Sequence, residues 1–540
     1  MVRIARLAPL LLLALALPGG GQAARGDSSY SLVQLTRATA CTAAPALVRA
    51  GGVLVAPELA IWRVPSARAR ELAPGLRRAG ALATLEPDRV VHRLGATDFA
   101  DPLVPTEWWR PAIGVADLTP PGPGKPVTVV DSGVDLAHPE FASRPDTTVL
   151  NEQTPTGRDG SHGTAVASLV GAPADGVGMV GIYPQAVLRA YDASPGGGDL
   201  ATSEIIAGLL AAAKAGPSVI NLSLGSQTRD ELLEQAVYQA YAEGSLVVVA
   251  AGNERAEGSP AEYPSSLAHV LTVAATGHAN ETAPFSNRSS MVDLAAPGVD
   301  MIVAVPTALG GTGFRSAAGT SFSAPLVSGA AAWVWTVRPE LDNTQLFEIM
   351  RRSARDLGPA GPDEDTGYGL LDVAAALAYP APVPDPQEPN DDVEYVKPGG
   401  YFAVGRGPLT APGREKTTFS ARLDRNEDPH DVYRIWLPPR KVTSVRLTPD
   451  ADVNLAAWGP GAISVYDAAS GGRLAFSGRQ GTTAEAFTLR NAGTRGSYVY
   501  LDAGLGANTL QATYSLAITT KALPPVKPKP KPTRKPAVQR

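Results

Sequence analysis

The segment SEIIAGLLAAAKAGPSVINLSLGSQTRDELLEQAVYQAYAEGSLVVVAAGN, Ser203 to Asn253, decides the architecture. Two helix-like stretches, SEIIAGLLAAAKAG and RDELLEQAVYQAYAEG, alternate with two short apolar runs, SVINLSLG and SLVVVAAGN. Short runs rich in β-branched residues and bounded by Gly or Asn read as strands buried on both faces. The alternation continues outward from about residue 126 to 378, through VTVVD, AVLRAYD, VLTVAAT and VDLAAPG. The fold class is therefore α/β: a three-layer sandwich with a mostly parallel sheet covered on both faces. In such sheets functional residues gather at the carboxyl ends of the strands.

The flanks follow other rules. In residues 46–91, ALVRAGGVLVAPELAIWRV, from Ala46, reads as strands with a Gly-Gly turn, followed by a helix-like run with Ser66 as its cap and a returning strand, a small α/β module. Residues 381–392 are a linker by their Pro and acidic content. Residues 393–520 carry short alternating runs such as DVYRIWLP and SYVYLDA between Gly, Pro and Asn, the pattern of an all-β sandwich. Residues 521–540 form a Pro/Lys tail, extended and cationic, with contact to a cell wall or anionic surface as its sharper reading. Residues 1–24 read as a signal peptide, with Arg3 and Arg6 ahead of the apolar run from Leu7 to Leu17. No later stretch is apolar for long enough to span a bilayer, so the expected product is exported and extracellular.

Of the 540 residues 44% are hydrophobic and 18% charged, which permits a large core and excludes a disordered chain. The net charge of −5 gives no reason to expect a nucleic-acid partner. The single cysteine, Cys41, cannot make an internal disulfide, so stability must come from packing or bound ions.

Three segments place a chemically competent residue beside Gly. VTVVDSGVDLAHPEF puts Asp131 at a strand end, DGSHGTAVASLVGA puts His162 at a helix start, and GTSFSAP puts Ser321 at another. A serine nucleophile needs a base, and that base needs an orienting carboxylate. VVVAAGN brings Asn253 to a strand end, where a side-chain amide and the N–H of Ser321 can receive an oxyanion. Ser321 thus heads its helix because a helix N-terminus offers N–H groups and a favourable dipole, and Pro325 fits the first turn of that helix, where its missing N–H costs nothing.

VVDSGVDLAHP, SHGTAVA, AAGN and GTSFSAPLVSGAAA together resemble the motifs of the subtilisin-like serine peptidases, in that family's Asp–His–Ser order. The resemblance runs over about residues 105–378 and includes FSNRSSMVDLAAPG and GYGLLDVAAAL. It implies a catalytic triad of Asp131, His162 and Ser321 with Asn253 as oxyanion donor. It implies that an extended peptide lies between Gly196, Gly197 and Gly198 on one side and Ser223, Leu224 and Gly225 on the other. It implies a specificity pocket bounded by Ser223–Gly225 and by Ala251, Gly252 and the segment after Asn253, which here contains Glu254 and Glu262. If both carboxylates face that pocket they would attract a cationic side chain, whereas a solvent-facing Glu262 would leave it apolar. No cofactor is required for the chemistry. The resemblance also implies a structural calcium site at Glu140 and Asp175, completed by carbonyls of Pro173, Val177 and Met179, with a surface turn as the alternative. One departure is Ala165, where many relatives carry a second His.

The module at residues 25–95 resembles the family's inhibitory prodomain, which implies removal by the enzyme itself within residues 90–105. Residues 385–520 are similar to the pre-peptidase C-terminal domains of secreted bacterial peptidases. The peptidase domain spans 96–380 on this reading, and its partners are protein or peptide substrates and its own prodomain.

Other polar residues have plainer readings. His138 reads as structural, and His92, His269, His278 and His430 show no ligand spacing. Asp135 suits a supporting carboxylate or a turn, and the acidic run at 362–367 suits a solvated loop or calcium. The function expected is a secreted, self-processing serine endopeptidase. The alternative is a secreted binding or adhesion protein on a silent peptidase scaffold, against which the intact set of four residues argues.

Overall fold

The computed structural model describes residues 30–523 except 37, 57–58, 88–98, 143, 145, 156–160, 197–199, 403–405 and 467–471. The stretch read as a signal peptide at 1–24, most of the tail at 521–540, Gly197 and Gly198 lie outside the described residues. The chain divides into two compact units between residues 93 and 94.

The first unit runs β1 (Tyr30–Leu35), α1 (Ala40–Arg49), β2 (Val53–Ala56), β3 (Ile61–Pro65), α2 (Ser66–Arg78) and β4 (Leu82–Pro87). Its sheet has the order β2-β3-β1-β4, with antiparallel pairs throughout. Val33 and Leu35 of β1 and Trp62 and Val64 of β3 alternate into a small core with Leu47, Ala69 and Leu76 of the helices. Ala46–Arg49, expected as strand, is the end of α1. Its apolar residues fit either period, and Leu47 is the one that reaches the core. Ser66 does not cap α2 from outside. It is the buried first helical residue, and its hydroxyl meets that of Ser31 at 2.9 Å.

The second unit begins with the short α3 (Trp109–Ala112), β5 (Pro126–Asp131), α4 (Pro139–Ala142), β6 (Thr147–Val149), α5 (His162–Gly171) and β7 (Val187–Asp192). It continues through α6 (Thr202–Lys214), β8 (Val219–Leu222), α7 (Glu231–Ala242), β9 (Leu246–Ala250), β10 (Val270–Thr276) and β11 (Leu294–Pro297). A hairpin of β12 (Met301–Ala304) and β13 (Phe314–Ala317) leads into α8 (Thr320–Val337), α9 (Asn343–Arg352) and α10 (Val373–Ala378). The order β11-β10-β9-β8-β5-β7-β6 makes one seven-stranded sheet whose every pair is parallel. β5, β8, β9 and β10 are buried along their whole lengths, as both-face coverage demands. α5 and α8 pack on one face with Leu169, Leu326, Val327 and Trp333 in the larger core, and α6 and α7 cover the other with Leu209 and Val237.

After α11 (Val393–Val396) come eight strands, β14 (Thr417–Asp424), β15 (His430–Leu437), β16 (Lys441–Pro449), β17 (Val453–Trp458), β18 (Arg473–Ser477), β19 (Glu485–Asn491), β20 (Ser497–Leu505) and β21 (Gln511–Ala522). They form two antiparallel sheets, β14-β21-β16-β19 and β15-β20-β17-β18, closed over Leu423, Tyr433, Ile435, Leu447, Leu501 and Leu516. This is the expected all-β sandwich. It is joined to the α/β portion by buried charge: Arg351 of α9 bonds Asp424 of β14 at 2.8 Å, and Arg422 donates to the Thr344 carbonyl at 3.0 Å. The segment read as a linker contributes Asp385, Glu388 and Asn390 to this junction, all buried.

Candidate active site

The carboxyl ends of β5, β8 and β9 and the N-termini of α5 and α8 converge on one open groove lined by His162, Asn253, Ser321 and Phe322. Asp131 closes β5 and is 1% exposed. Its two oxygens stand 2.9 and 3.0 Å from His162 Nδ1, and Oδ1 also accepts from the Ser132 N–H at 2.7 Å. The close approach of α5 to this turn requires Gly163, since a Cβ there would lie 2.3 Å from the Gly133 carbonyl oxygen. Burial disfavours the charged imidazole, but the Asp131 carboxylate and its hydrogen bond outweigh burial, and the His162 pKa is raised.

Ser321 is the second residue of α8, where backbone N–H groups have no intrahelical partner. Its hydroxyl donates to the Ser223 carbonyl at 3.4 Å. Pro325, which reads from sequence as a first-turn residue, is the sixth residue of the helix. Having no N–H, it leaves the Ser321 carbonyl without the usual donor four residues on. The Ser223 hydroxyl takes that place at 2.8 Å, itself accepting from Asn221 Nδ2 at 3.0 Å, while Ser328 donates to Asn221 Oδ1 at 2.9 Å. A buried hydroxyl–amide chain therefore fixes the backbone that carries Ser321.

Asn253 follows β9. Its Oδ1 accepts from the Thr320 N–H at 2.9 Å and the Thr320 hydroxyl at 3.0 Å, which turns Nδ2 the other way. The Thr320 hydroxyl also accepts from the Gly252 N–H at 3.2 Å. Thr320 and Asn221 escaped the sequence reading; the only trace of Thr320 was its place beside Ser321. Glu254 reaches back, with Oε2 accepting from the Asn253 N–H at 2.7 Å and from Asn287 Nδ2 at 3.2 Å. Glu262 stands beside Gly225 and Gly252. Gly196 donates to Thr154 Oγ1 at 2.8 Å.

Other candidates sort by their partners. His138 bonds the Gly313 carbonyl at 2.9 Å and receives the Glu140 N–H at 3.1 Å, a structural role. Asp135 accepts from the Thr307 N–H and hydroxyl and from the Ala137 N–H, a turn role. In the 362–367 run, Asp363 holds the Asp365 and Thr366 N–H groups, and Glu364 pairs with Arg288 at 2.7 Å.

Two places suit a hard cation. Glu140 is fully buried and accepts the Met179 N–H on Oε1 at 2.8 Å, while Oε2 has no hydrogen-bond partner among the described residues. Burial first, then the charges of Asp175, Asp101 and Glu107, push its pKa up to about 8. Asp101, not noticed in the sequence, binds the same loop through the Asp175 and Gly176 N–H groups at 3.1 and 2.9 Å. The second place is the domain junction, where oxygens of Asp385, Glu388, Asp428 and Asp431 lie within 4.8 Å of one another. Buried oxygens of Asp385, Glu388, Asp428 and Asn390 have no hydrogen-bond partner there among the described residues. His269, despite its lack of sequence spacing, sits with Glu388 and Asp391, bonding Asp391 at 3.0 Å.

An Asp–His pair, a serine at a helix N-terminus and an oriented amide define a serine hydrolase of the acyl-transfer type. Residues 122–369 match the subtilase family, peptidase S8. Subtilisin E of Bacillus subtilis (strain 168) is 33% identical over 308 residues, covering 56% of this chain and 77% of that protein. Subtilisin of Bacillus pumilus is 36% identical over 257 residues, covering 46% and 90%. The crystal structure of fervidolysin from Fervidobacterium pennivorans, a keratinolytic enzyme related to subtilisin, aligns with 20% identity and a TM-score of 0.48, covering 87% of this chain and 86% of that one. The chain belongs to the subtilase family and is a serine endopeptidase by that membership. No helix among the described residues is long and apolar enough to cross a membrane.

Proposed function

We propose that the chain is a secreted, self-processing endopeptidase in which Asp131, His162 and Ser321 act as the triad. Ser321 Oγ attacks the peptide carbonyl carbon while His162 takes its proton. The C–N bond then breaks, His162 hands the proton to the leaving amine, and water repeats the sequence to release the acyl group. Asp131 holds Nδ1–H and stabilises the imidazolium. Asn253 Nδ2 and the Ser321 N–H receive the oxyanion. The observation that carries this reading is the pair of Thr320 donors on Asn253 Oδ1, which aims Nδ2 away from them in the groove of Ser321 and His162. A silent scaffold has no use for that orientation.

In this reading residues 25–95 are the inhibitory prosegment, removed by the enzyme's own cut within 90–105, and the cationic tail contacts the cell envelope. Calcium is structural. Glu140, Asp175 and Asp101 would hold one ion, and Asp385, Glu388, Asp428 and Asp431 another at the junction, each supplying the positive charge that buried carboxylates lack. The test is fluorophosphonate labelling of the secreted protein beside Ser321→Ala, with N-terminal sequencing of both. The parent is expected to label and to lose its first 90 or more residues, while the variant stays uncut. Equal processing of both overturns self-cleavage, and an unlabelled parent favours the binding-protein alternative.

A further inference from the structure

One carboxylate beside the groove has no part in the acyl-transfer steps. Glu262 is 8% exposed. Its neighbour Tyr263 exchanges both backbone hydrogen bonds with Ser226, at 3.0 and 2.8 Å, which lays Glu262 alongside Gly225. A Cβ on Gly225 would stand 3.2 Å from Glu262 Oε2, and one on Gly252 would stand 3.0 Å from Glu262 Cγ. Gly225 lies two residues past Ser223, which accepts from the Ser321 hydroxyl, and Gly252 immediately precedes Asn253. Glu262 thus borders a strip whose two glycines bring no side chains of their own, with Asn287 Nδ2 and Glu254 Oε2 also against Gly252, and a substrate side chain using this strip as its slot would end on the carboxylate. It flanks Ser223 and Asn253 rather than His162, the group that must face the leaving amine. Its occupant is therefore the side chain on the acyl side of the cut bond.

The charge there is uncompensated. Glu262 forms no ion pair among the described residues. Gln227 gives it a hydrogen bond, and the nearest charge is another carboxylate, Glu254, already engaged by the Asn253 N–H and Asn287. Burial, then Glu254, raises the Glu262 pKa. A cation entering the slot relieves both penalties, whereas an apolar side chain leaves them in place and an acidic one adds a third carboxylate.

We infer that Glu262 makes this site selective for Lys or Arg immediately N-terminal to the cut bond. The inference rests on the endopeptidase reading above. It also bears on maturation. Arg93 is the only Lys or Arg between residues 90 and 105, so self-cleavage would leave Leu94 as the new N-terminus. An apolar slot would instead choose Leu94, Phe99 or Leu103 in the same interval and leave Gly95, Ala100 or Val104.

The experiment uses the mature enzyme and fluorogenic peptides that differ only in Arg, Lys, Leu or Phe at the cleavage position. The parent is expected to give a kcat/KM at least about tenfold higher for Arg and Lys than for Leu and Phe. Glu262→Gln lowers the Arg-to-Leu ratio by about tenfold or more, and Glu262→Asp retains part of it. The parent's preference fades on acidification, as the carboxyl takes up its proton, and the Gln variant shows no such fading. N-terminal sequencing places the mature start at Leu94. A parent that prefers Leu or Phe, a Gln variant that keeps the Arg preference, or a Ser321-dependent start at Gly95, Ala100 or Val104 overturns the inference. Fluorophosphonate labelling separates the two readings: a labelled enzyme with apolar preference overturns only the acidic slot, and an unlabelled, inactive protein overturns both.

Discussion

Replacing Ser223 with Ala removes the hydroxyl that substitutes for the absent Pro325 N–H. Two buried groups lose their partner at once, the Ser321 carbonyl at 2.8 Å and Asn221 Nδ2 at 3.0 Å. Asn221 is fully buried and Ser223 is 4% exposed, so water does not readily replace the hydroxyl. A buried polar group left unpaired costs about 1–3 kcal/mol, and two of them, partly relaxed, cost about 2–4 kcal/mol. For a domain of this size that lowers the melting temperature by roughly 5–10 °C. Autolysis is avoided by measuring stability in a Ser321→Ala background, where the carbonyl in question is unchanged. The decisive arm is Pro325→Ala, which restores an N–H four residues beyond Ser321. In that background Ser223→Ala should cost about 1 kcal/mol less, because the helix can now satisfy the carbonyl itself. On the otherwise intact enzyme, Ser223→Ala lowers kcat, and Ser223→Thr, which keeps a hydroxyl, recovers part of it. A coupling between positions 223 and 325 within about 0.3 kcal/mol of zero would refute the reasoning.

The acid limb of kcat/KM should lie above pH 6.5, the ordinary imidazole value, because Asp131 raises the His162 pKa and the base works only when neutral; Asp131→Asn moves that limb down and costs on the order of 10⁴ in kcat, read from a pH–rate profile. Asn253→Ala should lose on the order of 10²–10³ in kcat with little change in KM. Thr320→Val, which releases Asn253 Oδ1 from the hydroxyl but not from the N–H, should fall between parent and Asn253→Ala in steady-state assays. Chelation should lower the melting temperature of a fluorophosphonate-inactivated enzyme, since an ion held at 100 times its Kd stabilises by about 2.7 kcal/mol. Glu140→Gln and Asp428→Asn should each abolish part of that shift; a melt indifferent to chelator removes both calcium sites.

What sequence could and could not reveal follows from the range of each interaction. The parallel sheet was legible because uniformly buried strands such as Leu246–Ala250 must be apolar at every position, a constraint written locally. Asp131, His162, Asn253 and Ser321 were legible because each sits at the end of such an element beside small residues that the approach of another segment demands, as at Gly163. The end of α1 was misread because four residues of mixed polarity satisfy either period, and only tertiary contact at Leu47 decides. The remaining omissions share one cause. Thr320, Asp101 and the acidic junction depend on partners 40 or more residues away, as Asn390 does on Asp431 (41 apart) and Thr320 on Asn253 (67 apart), and Asn221 depends on Ser328 (107 apart) as well as on its near neighbour Ser223. Pro325 shows the same limit from the other side. Its missing N–H is evident in the sequence, but the donor that replaces it belongs to a strand end 98 residues earlier than Ser321, and only the fold brings the two together. Residues that perform chemistry must be of a particular type and so leave a local mark. Residues that hold them in place need only reach, and their identity becomes meaningful when the reach is known.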